Sequence, residues 1–382
     1  MMVKKTIVSL LAVAMMAGGS IAGVASAVPG KDLRIIPVVV NGQKVKFPDT
    51  EPYINTDGRT MVPVRFVSEK LGATVKWDEK TNTAILTFGS KQIRMSIGSK
   101  TVTVDGVKQE LDTAAEKYEG RTMVPLRFVS EVLGSKVEWD DPAHSVKVTD
   151  VKYQAKIAAG GVKLDPWGRE YSKTWDANWM RLTDLEKTKF YSFYGKKRSR
   201  SFVEPKDLEV FKEYADAIGG KVRNWYEAQL NVDYRTVSKE ALTNVFMKNA
   251  SGTITKNSYR RDGHRAAIDR YVDWVKKNKV IVKGYADPEL TTFFESGDLL
   301  WVPTRFKFKI ISAEDTSQTL LDNWDATGSS DSYKMQKNVW YEGYALVSLE
   351  SVVASDTFSP DYGLRQFENM FYLDSYFYEI SK

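Results

Sequence analysis

A fifteen-residue stretch of this chain occurs twice. Gly58-Arg-Thr-Met-Val-Pro-Val-Arg-Phe-Val-Ser-Glu-Lys-Leu-Gly72 returns 62 residues later as Gly120-Arg-Thr-Met-Val-Pro-Leu-Arg-Phe-Val-Ser-Glu-Val-Leu-Gly134, and each copy runs on to a Val-x-Trp-Asp ending, Val75–Asp78 and Val137–Asp140. Duplication on this scale points to two copies of one small supersecondary block that share a core.

Each copy reads the same way. Asn41-Gly42, between Val38-Val39-Val40 and Gln43, and Asp105-Gly106, between Val102-Thr-Val104 and Val107, are signals for tight hairpin turns. Pro63 and Pro125 suit the first turn of a helix, where no amide donor is missed. Val64, Val67 and Leu71, with Leu126, Val129 and Leu133 in the second copy, fall at helical spacing and define a buried stripe. Gly72 and Gly134 stand where a helix stops. Strands are expected after them, over Thr74–Trp77 and Ala84–Phe88, and over Lys136–Trp139 and Ser145–Thr149, with a further strand at Lys91–Ile97. Arg65 and Glu69, like Arg127 and Glu131, are four apart and can pair on one helix face. Arg59 and Arg121, beside turn glycines, are expected to donate to loop carbonyls, with an acidic polymer as the other reading. Trp77 and Trp139 are expected to close the core.

At these residues the sequence resembles the stalk domain, also called the copper amine oxidase N-terminal-like domain, over about 31–150. The resemblance implies a small α+β module of exported Gram-positive proteins, joined to a variable partner domain and with no catalysis of its own. Copper amine oxidases hold copper with three histidines, and this chain has two, His144 and His264. That activity is excluded, and no cofactor or metal is expected.

The first 27 residues read as a secretory signal: Lys4 and Lys5, an apolar run from Ile7 to Ala17, then Ala25-Ser26-Ala27 before a cleavage between Ala27 and Val28. The apolar run is too short for a span, which needs about 20 residues. Cysteine is absent, so disulfides and thiolate metal sites are excluded. The formal charge of +6 includes both signal lysines, and the remainder is too balanced to argue for nucleic acid. Export to the cell envelope is the expected localisation, with a cell-wall polymer or another envelope protein as the partner.

The domains expected are the signal (1–27), tandem repeats (31–150, dividing near 90), a linker (151–162, with Ala158-Ala-Gly-Gly161) and a C-terminal domain (163–382). In the last, helices are expected at Asp184–Phe193, Pro205–Ile218 (stopped by Gly219-Gly220), Ser238–Asn249 and Arg265–Lys277, the last with a stripe of Ala266, Ile268, Val272 and Val275. Period-two runs follow at Arg305–Ile310 and Trp340–Leu349, with another strand at Phe371–Ile380. Helices first and strands after give an α+β domain with an antiparallel sheet.

No nucleophile elbow, phosphate loop or zinc-protease motif occurs. His264 after Asp262-Gly263, and Glu295 with Asp298, are weak catalytic signals of kinds expected by chance. Trp175 and Trp179 precede Lys196, Lys197, Arg198 and Arg200, and Arg260 and Arg261 lie further on. Aromatic platforms beside cations suit an anionic sugar–phosphate polymer; the bland alternative is core tryptophans beside a solvated loop. The reading is a non-enzymatic envelope protein whose repeats act as spacer or interaction module. The alternatives are a wall-polysaccharide hydrolase and a binding module for anionic polymer.

Overall fold

The computed structural model describes residues 34–171, 201–202, 205–296, 299–314, 335–351, 362–365 and 375–379. The protein is α+β, and the two repeats interlock. Strands β1 (Val38–Val40) and β2 (Gln43–Lys44) form a hairpin, and β8 (Thr101–Val104) and β9 (Val107–Glu110) form its counterpart. Asn41 and Gly42 have φ of 49° and 76°, Asp105 and Gly106 51° and 81°. Left-handed backbone at both central residues matches the twist of the flanking strands.

The second half of each copy then joins the other copy. In copy one, β5 (Thr74–Asp78) and β6 (Thr83–Phe88) run through β7 (Lys91–Ser96) onto β8, giving the sheet order β5-β6-β7-β8-β9. In copy two, β12 (Ser135–Asp140) and β13 (Ser145–Asp150) close back onto β1, with β13 parallel to it, in the order β12-β13-β1-β2.

Between these lies a sheet of β3 (Tyr53–Ile54), β4 (Thr60–Pro63), β10 (Glu116–Tyr118) and β11 (Arg121–Pro125). Here Val62 pairs with Val124, Met61 with Pro125 and Pro63 with Met123. Val62 faces its own equivalent, and Met61 and Pro63 each face the equivalent of the other, so a local two-fold axis runs between Val62 and Val124. One core holds side chains from both copies, among them Val62, Val67, Leu86, Val124, Val129 and Val148.

Helices α1 (Val64–Lys70) and α2 (Leu126–Val132) bury the expected stripe, and Gly72 and Gly134 stop them at φ of 85° and 80°. Pro63 and Pro125 are not in the first helical turn. Each is the last strand residue and the helix N-cap, at φ/ψ of −60°/118° and −61°/115°. The pairing across the two-fold axis keeps them extended, and the missing N–H falls at a strand end.

The tryptophans do not close the core either: Trp77 is 38% and Trp139 36% exposed. Trp77 pairs with Ala84 and so shares the core-facing side, but β5 is an edge strand with no neighbour on its outer side to cover the ring. Trp139, also on an edge strand, donates its indole N–H to Asp141 at 3.0 Å and meets His144 edge-on at 5.1 Å.

The stretch expected as linker contains a helix, α3 (Val151–Ala158), because the Asp150 side chain caps it by accepting from the Tyr153 amide at 2.7 Å. The chain then doubles back so that Leu164 bridges Glu170. The helix expected at Asp184–Phe193 lies outside the described residues.

The Pro205–Leu230 helix runs straight through Gly219-Gly220, where a stop was expected. Gly219 lies against Leu290; a Cβ there would sit 3.0 Å from both Leu290 methyls, so the glycine serves close packing. The helices Lys239–Asn249 and Ser258–Lys277 are capped by Ser238 and Asn257. The Asn257 cap starts the second helix well before Arg265, and its buried face includes Ala267, Ile268, Tyr271, Val272 and Val275, with Ala266 exposed.

The antiparallel sheet is built on β17 (Leu299–Ser312) and β18 (Trp340–Glu350), paired from Leu299↔Glu350 to Lys309↔Trp340. Strands β15 (Ile281–Pro288) and β16 (Phe294–Ser296) share the other edge of β17, and β20 (Ser375–Glu379) pairs with β18. One sheet face, with Ala286, Phe306, Phe308 and Ile310, packs with Trp225, Tyr226 and Phe246 of the helices. A Cβ on Gly284 would lie 2.8 Å from Phe308 Cβ and 2.9 Å from Leu230 Cβ. Gly284→Ala is therefore expected to destabilise by about 1–3 kcal/mol through overpacking, read as a lower urea midpoint.

Candidate functional site: a charged seam between repeats and sheet

The period-two run Arg305-Phe-Lys-Phe-Lys-Ile310 turns its phenylalanines to the helices, so Arg305, Lys307 and Lys309 line up on the opposite face. An antiparallel sheet commonly leaves that face to water. Here it is covered: Lys307 is 0% exposed. The cover is the repeat unit.

Glu51, just before β3, sits between the two inner cations. Lys307 Nζ donates to Glu51 Oε1 at 3.2 Å and to the Asp49 carbonyl at 2.8 Å, and Arg305 donates to the same Glu51 oxygen at 3.1 Å. Further along the row, Lys283 Nζ donates to the Tyr118 hydroxyl at 2.9 Å and lies 3.6 Å from Glu119. Lys309 lies 3.9 Å from Glu119 and 4.7 Å from the centre of the Trp340 ring. At the other end, Lys44 of β2 reaches Asp287 at 2.6 Å and Glu289 at 2.8 Å, and Arg169 also pairs with Glu289.

Burial pushes the Glu51 carboxyl up, but Arg305 and Lys307 outweigh it and hold it below the ordinary carboxylate value. For Glu289 burial is again outweighed, by Arg169 and Lys44, and its carboxyl falls to about 2. Burial opposes the charge of Arg305, yet Glu51, Glu342 and Asp287 keep it firmly protonated. The seam is a set of mutually dependent buried charges, each costly without its partner.

The site residues expected from sequence lie elsewhere. Trp175, Trp179, Lys196, Lys197, Arg198 and Arg200 fall outside the described residues. Arg260 reaches Glu350 at 3.4 Å and Arg261 reaches Asp262 at 3.5 Å, beside the exposed Tyr259. His264 packs 5.1 Å from the Phe246 ring; burial lowers its pKa, Arg260 adds to this and Glu350 opposes it. Glu295 is half-buried with its carboxyl pushed up by burial, while Asp298 lies outside the described residues.

Among the repeat positions, Arg65 meets Glu69 at 3.8 Å with both half-exposed, and Arg127 and Glu131 are exposed. Arg59 and Arg121 do not donate to loop carbonyls. Arg59 pairs with Asp112, and Arg121 pairs with Asp49, its Nε at 2.8 Å. Each arginine thus clamps the other copy, because interlocking brings a carboxylate within reach, and a fork of donors favours a carboxylate. Sequence reasoning missed Glu51, Asp49 and Glu119; the signal available was the strictly basic alternate positions of 305–309.

Among the described residues no group of three or more His, Cys, Asp or Glu is placed to hold a metal. His144 belongs to the repeat unit and His264 to the helical layer, so they do not form a copper site.

A protein named "Protease inhibitor" from Brevibacillus choshinensis is 27% identical over 193 residues, 50% of this chain and 56% of the relative. The chain thus spans about half the length of that curated relative. The C-terminal region matches no family model. The interlocked unit does: residues 39–148, which hold both copies of the duplicated motif, match the family described as Copper amine oxidase N-terminal domain.

Proposed function

We propose that this is an exported, non-enzymatic binding protein of the bacterial envelope, in which the repeat unit and the C-terminal sheet act as one rigid body. The observation that carries the reading is the buried seam, in which Glu51 satisfies both Arg305 and Lys307. A free spacer would leave that face to solvent. A repeat unit clamped on it stiffens the body and leaves the remaining surface to meet a partner. A cell-wall polymer or another envelope protein suits the signal-like start.

The relative's name favours a second reading, in which the partner is a secreted protease. Both are tested on the intact mature chain, since cutting near 150 would uncover the buried row on β17. Co-sedimentation with wall sacculi, with the supernatant assayed for released sugar, is run beside residual-activity assays of representative serine, cysteine and metalloproteases. Pelleting without sugar release supports wall binding. Stoichiometric loss of protease activity supports inhibition. Sugar release makes the protein a hydrolase and overturns the non-enzymatic reading.

A further inference from the structure

Trp77 and Trp139 are equivalent residues of the two copies, and both are open to solvent. Each is the outermost member of a row of cross-strand neighbours. Trp77 precedes Ala84, Met95 and Val102, and Trp139 precedes Val146 and Val38; every inner member is buried. No strand lies beyond either ring. The surroundings repeat as well. Both hairpins turn through a left-handed residue with a hydrogen-bonding side chain, Asn82 at φ 48° and His144 at φ 51°. Both rings are followed by two acids, Asp78-Glu79 and Asp140-Asp141. Asp141 accepts the Trp139 indole N–H at 3.0 Å and His144 meets the ring edge-on at 5.1 Å, so this ring is oriented by the protein itself.

Tryptophan is highly buried on average, and here the same tryptophan stands open in both copies. Its ring offers a flat apolar face. At the same hairpin ends the exposed residues include Lys76, Glu79, Lys80 and Asn82 in copy one, and Glu138 and Asp141 in copy two. A protein interface is depleted of charge at its core, and these rings stand singly among charges. A polyanion is drawn to a field of one sign, and here the signs are balanced. Lys76 and Lys80 match Asp78 and Glu79 in number; Lys136 pairs with Glu138 at 2.8 Å, and Lys147 and Lys212 lie 3.9 and 3.1 Å from Asp140. The chemistry that fits both rings is an uncharged pyranose. Its C–H face lies on an indole, and its rim of hydroxyls bonds to amide and carboxylate side chains such as Asn82, Glu79 and Asp141.

We infer, taking the protein to be the envelope binder proposed above, that Trp77 and Trp139 are two equivalent binding platforms for uncharged, β-linked glycan. β-linked pyranoses suit them because equatorial substituents leave the C–H faces of the sugar bare. Packing of the inner row and, at Trp139, the Asp141 bond hold the ring in place beforehand, which lowers the entropy lost on binding. The duplication thus doubles a site as well as a fold.

The test uses the intact chain labelled with fluorotryptophan, and a hexamer of β-1,4-linked N-acetylglucosamine as probe. Fluorine resonances of Trp77 and Trp139, assigned from Trp77→Phe and Trp139→Phe, are expected to shift on titration. Saturation of the protein is expected to transfer to the C–H protons of the sugar. Removing one ring, by Trp77→Ala or Trp139→Ala, is expected to leave the shift at the other. Removing both is expected to weaken binding at least about tenfold, whereas Tyr259→Ala, at an exposed aromatic of the helical layer, leaves it unchanged. Should the alanine variants fail to fold, the wild-type shifts and saturation transfer decide. Unmoved rings in a protein that still pellets with sacculi overturn the two sites and leave wall binding standing. Shifted rings in a protein that does not pellet keep the sites and overturn wall association. Equal shifts with polyglutamate in place of the hexamer overturn the uncharged class of ligand.

Discussion

Glu51→Ala is expected to destabilise the protein by about 3–5 kcal/mol, the cost of breaking a buried charge network by removing one partner. Lys307 is wholly buried and Arg305 nearly so, and Glu51 is the acceptor both share. Its loss leaves Lys307 with the Asp49 carbonyl and no carboxylate, and leaves Arg305 to the more distant Asp287 and Glu342. The expected observation is also qualitative: a single cooperative unfolding transition in the wild type becomes two, as repeat unit and sheet domain uncouple. Glu51→Gln keeps the shape and an acceptor and is expected to fall between. Combining Glu51→Leu with Lys307→Met removes both sides of one pair and should recover much of the loss, since apolar replacement of a buried pair is often neutral. A Glu51→Ala protein with wild-type stability and one transition would show that the seam does not couple the units.

Acid should act on the same network. Glu51 and Glu289 both have carboxyls held below the ordinary value near 4.5, Glu289 at about 2. A depressed carboxyl contributes stability that is fully present above its unfolded value and lost as pH falls through its folded one. Coupling is therefore expected to hold down to about pH 4.5 and to weaken progressively toward pH 2. Asp165 opposes this, because burial raises its carboxyl and protonation relieves that cost. A pH series of thermal melts, compared with the same series on Glu51→Gln, isolates the Glu51 share.

The second large effect is expected from Trp225→Ala. Trp225 is fully buried in the long helix and meets Phe246 edge-on at 5.0 Å, in the layer that packs on the Phe306 face of the sheet. Truncating a buried tryptophan costs about 3–5 kcal/mol through lost contacts and the cavity left behind. Because the seam ties the sheet to the repeats, the loss should lower the unfolding midpoint reported from both units. Reporter fluorophores on α2 and β18 would read this. A midpoint that falls in the sheet domain alone would mean that the repeats unfold independently.

Much of the local structure was legible in the chain. Asn41-Gly42 and Asp105-Gly106 specify their turns through local backbone preference, and the valine–leucine stripes of α1 and α2 specify their buried faces through helical period. The α+β order of the C-terminal half followed from a change of period near Leu299. The misreadings share one cause. Gly219-Gly220 looked like a stop, but Leu290, distant in sequence, requires the glycine's bareness inside a continuing helix. Trp77 and Trp139 looked like core, but strand order places them on edges. Arg59 and Arg121 looked like loop ligands, but the other copy supplies carboxylates.

What the sequence determined by itself is whatever depends on neighbours in the chain: turn chemistry, helix caps, the periodicity of buried faces and the existence of two equivalent units. Only the tertiary structure decided that the copies interlock about Val62 and Val124, and that the basic face of β17 is covered by Glu51 and Glu119. The alternation of 305–310 fixes which side chains share a face but carries no information about what lies against it. A lysine row facing water and one facing a buried carboxylate read alike in sequence, because the partner that separates them is some 250 residues away.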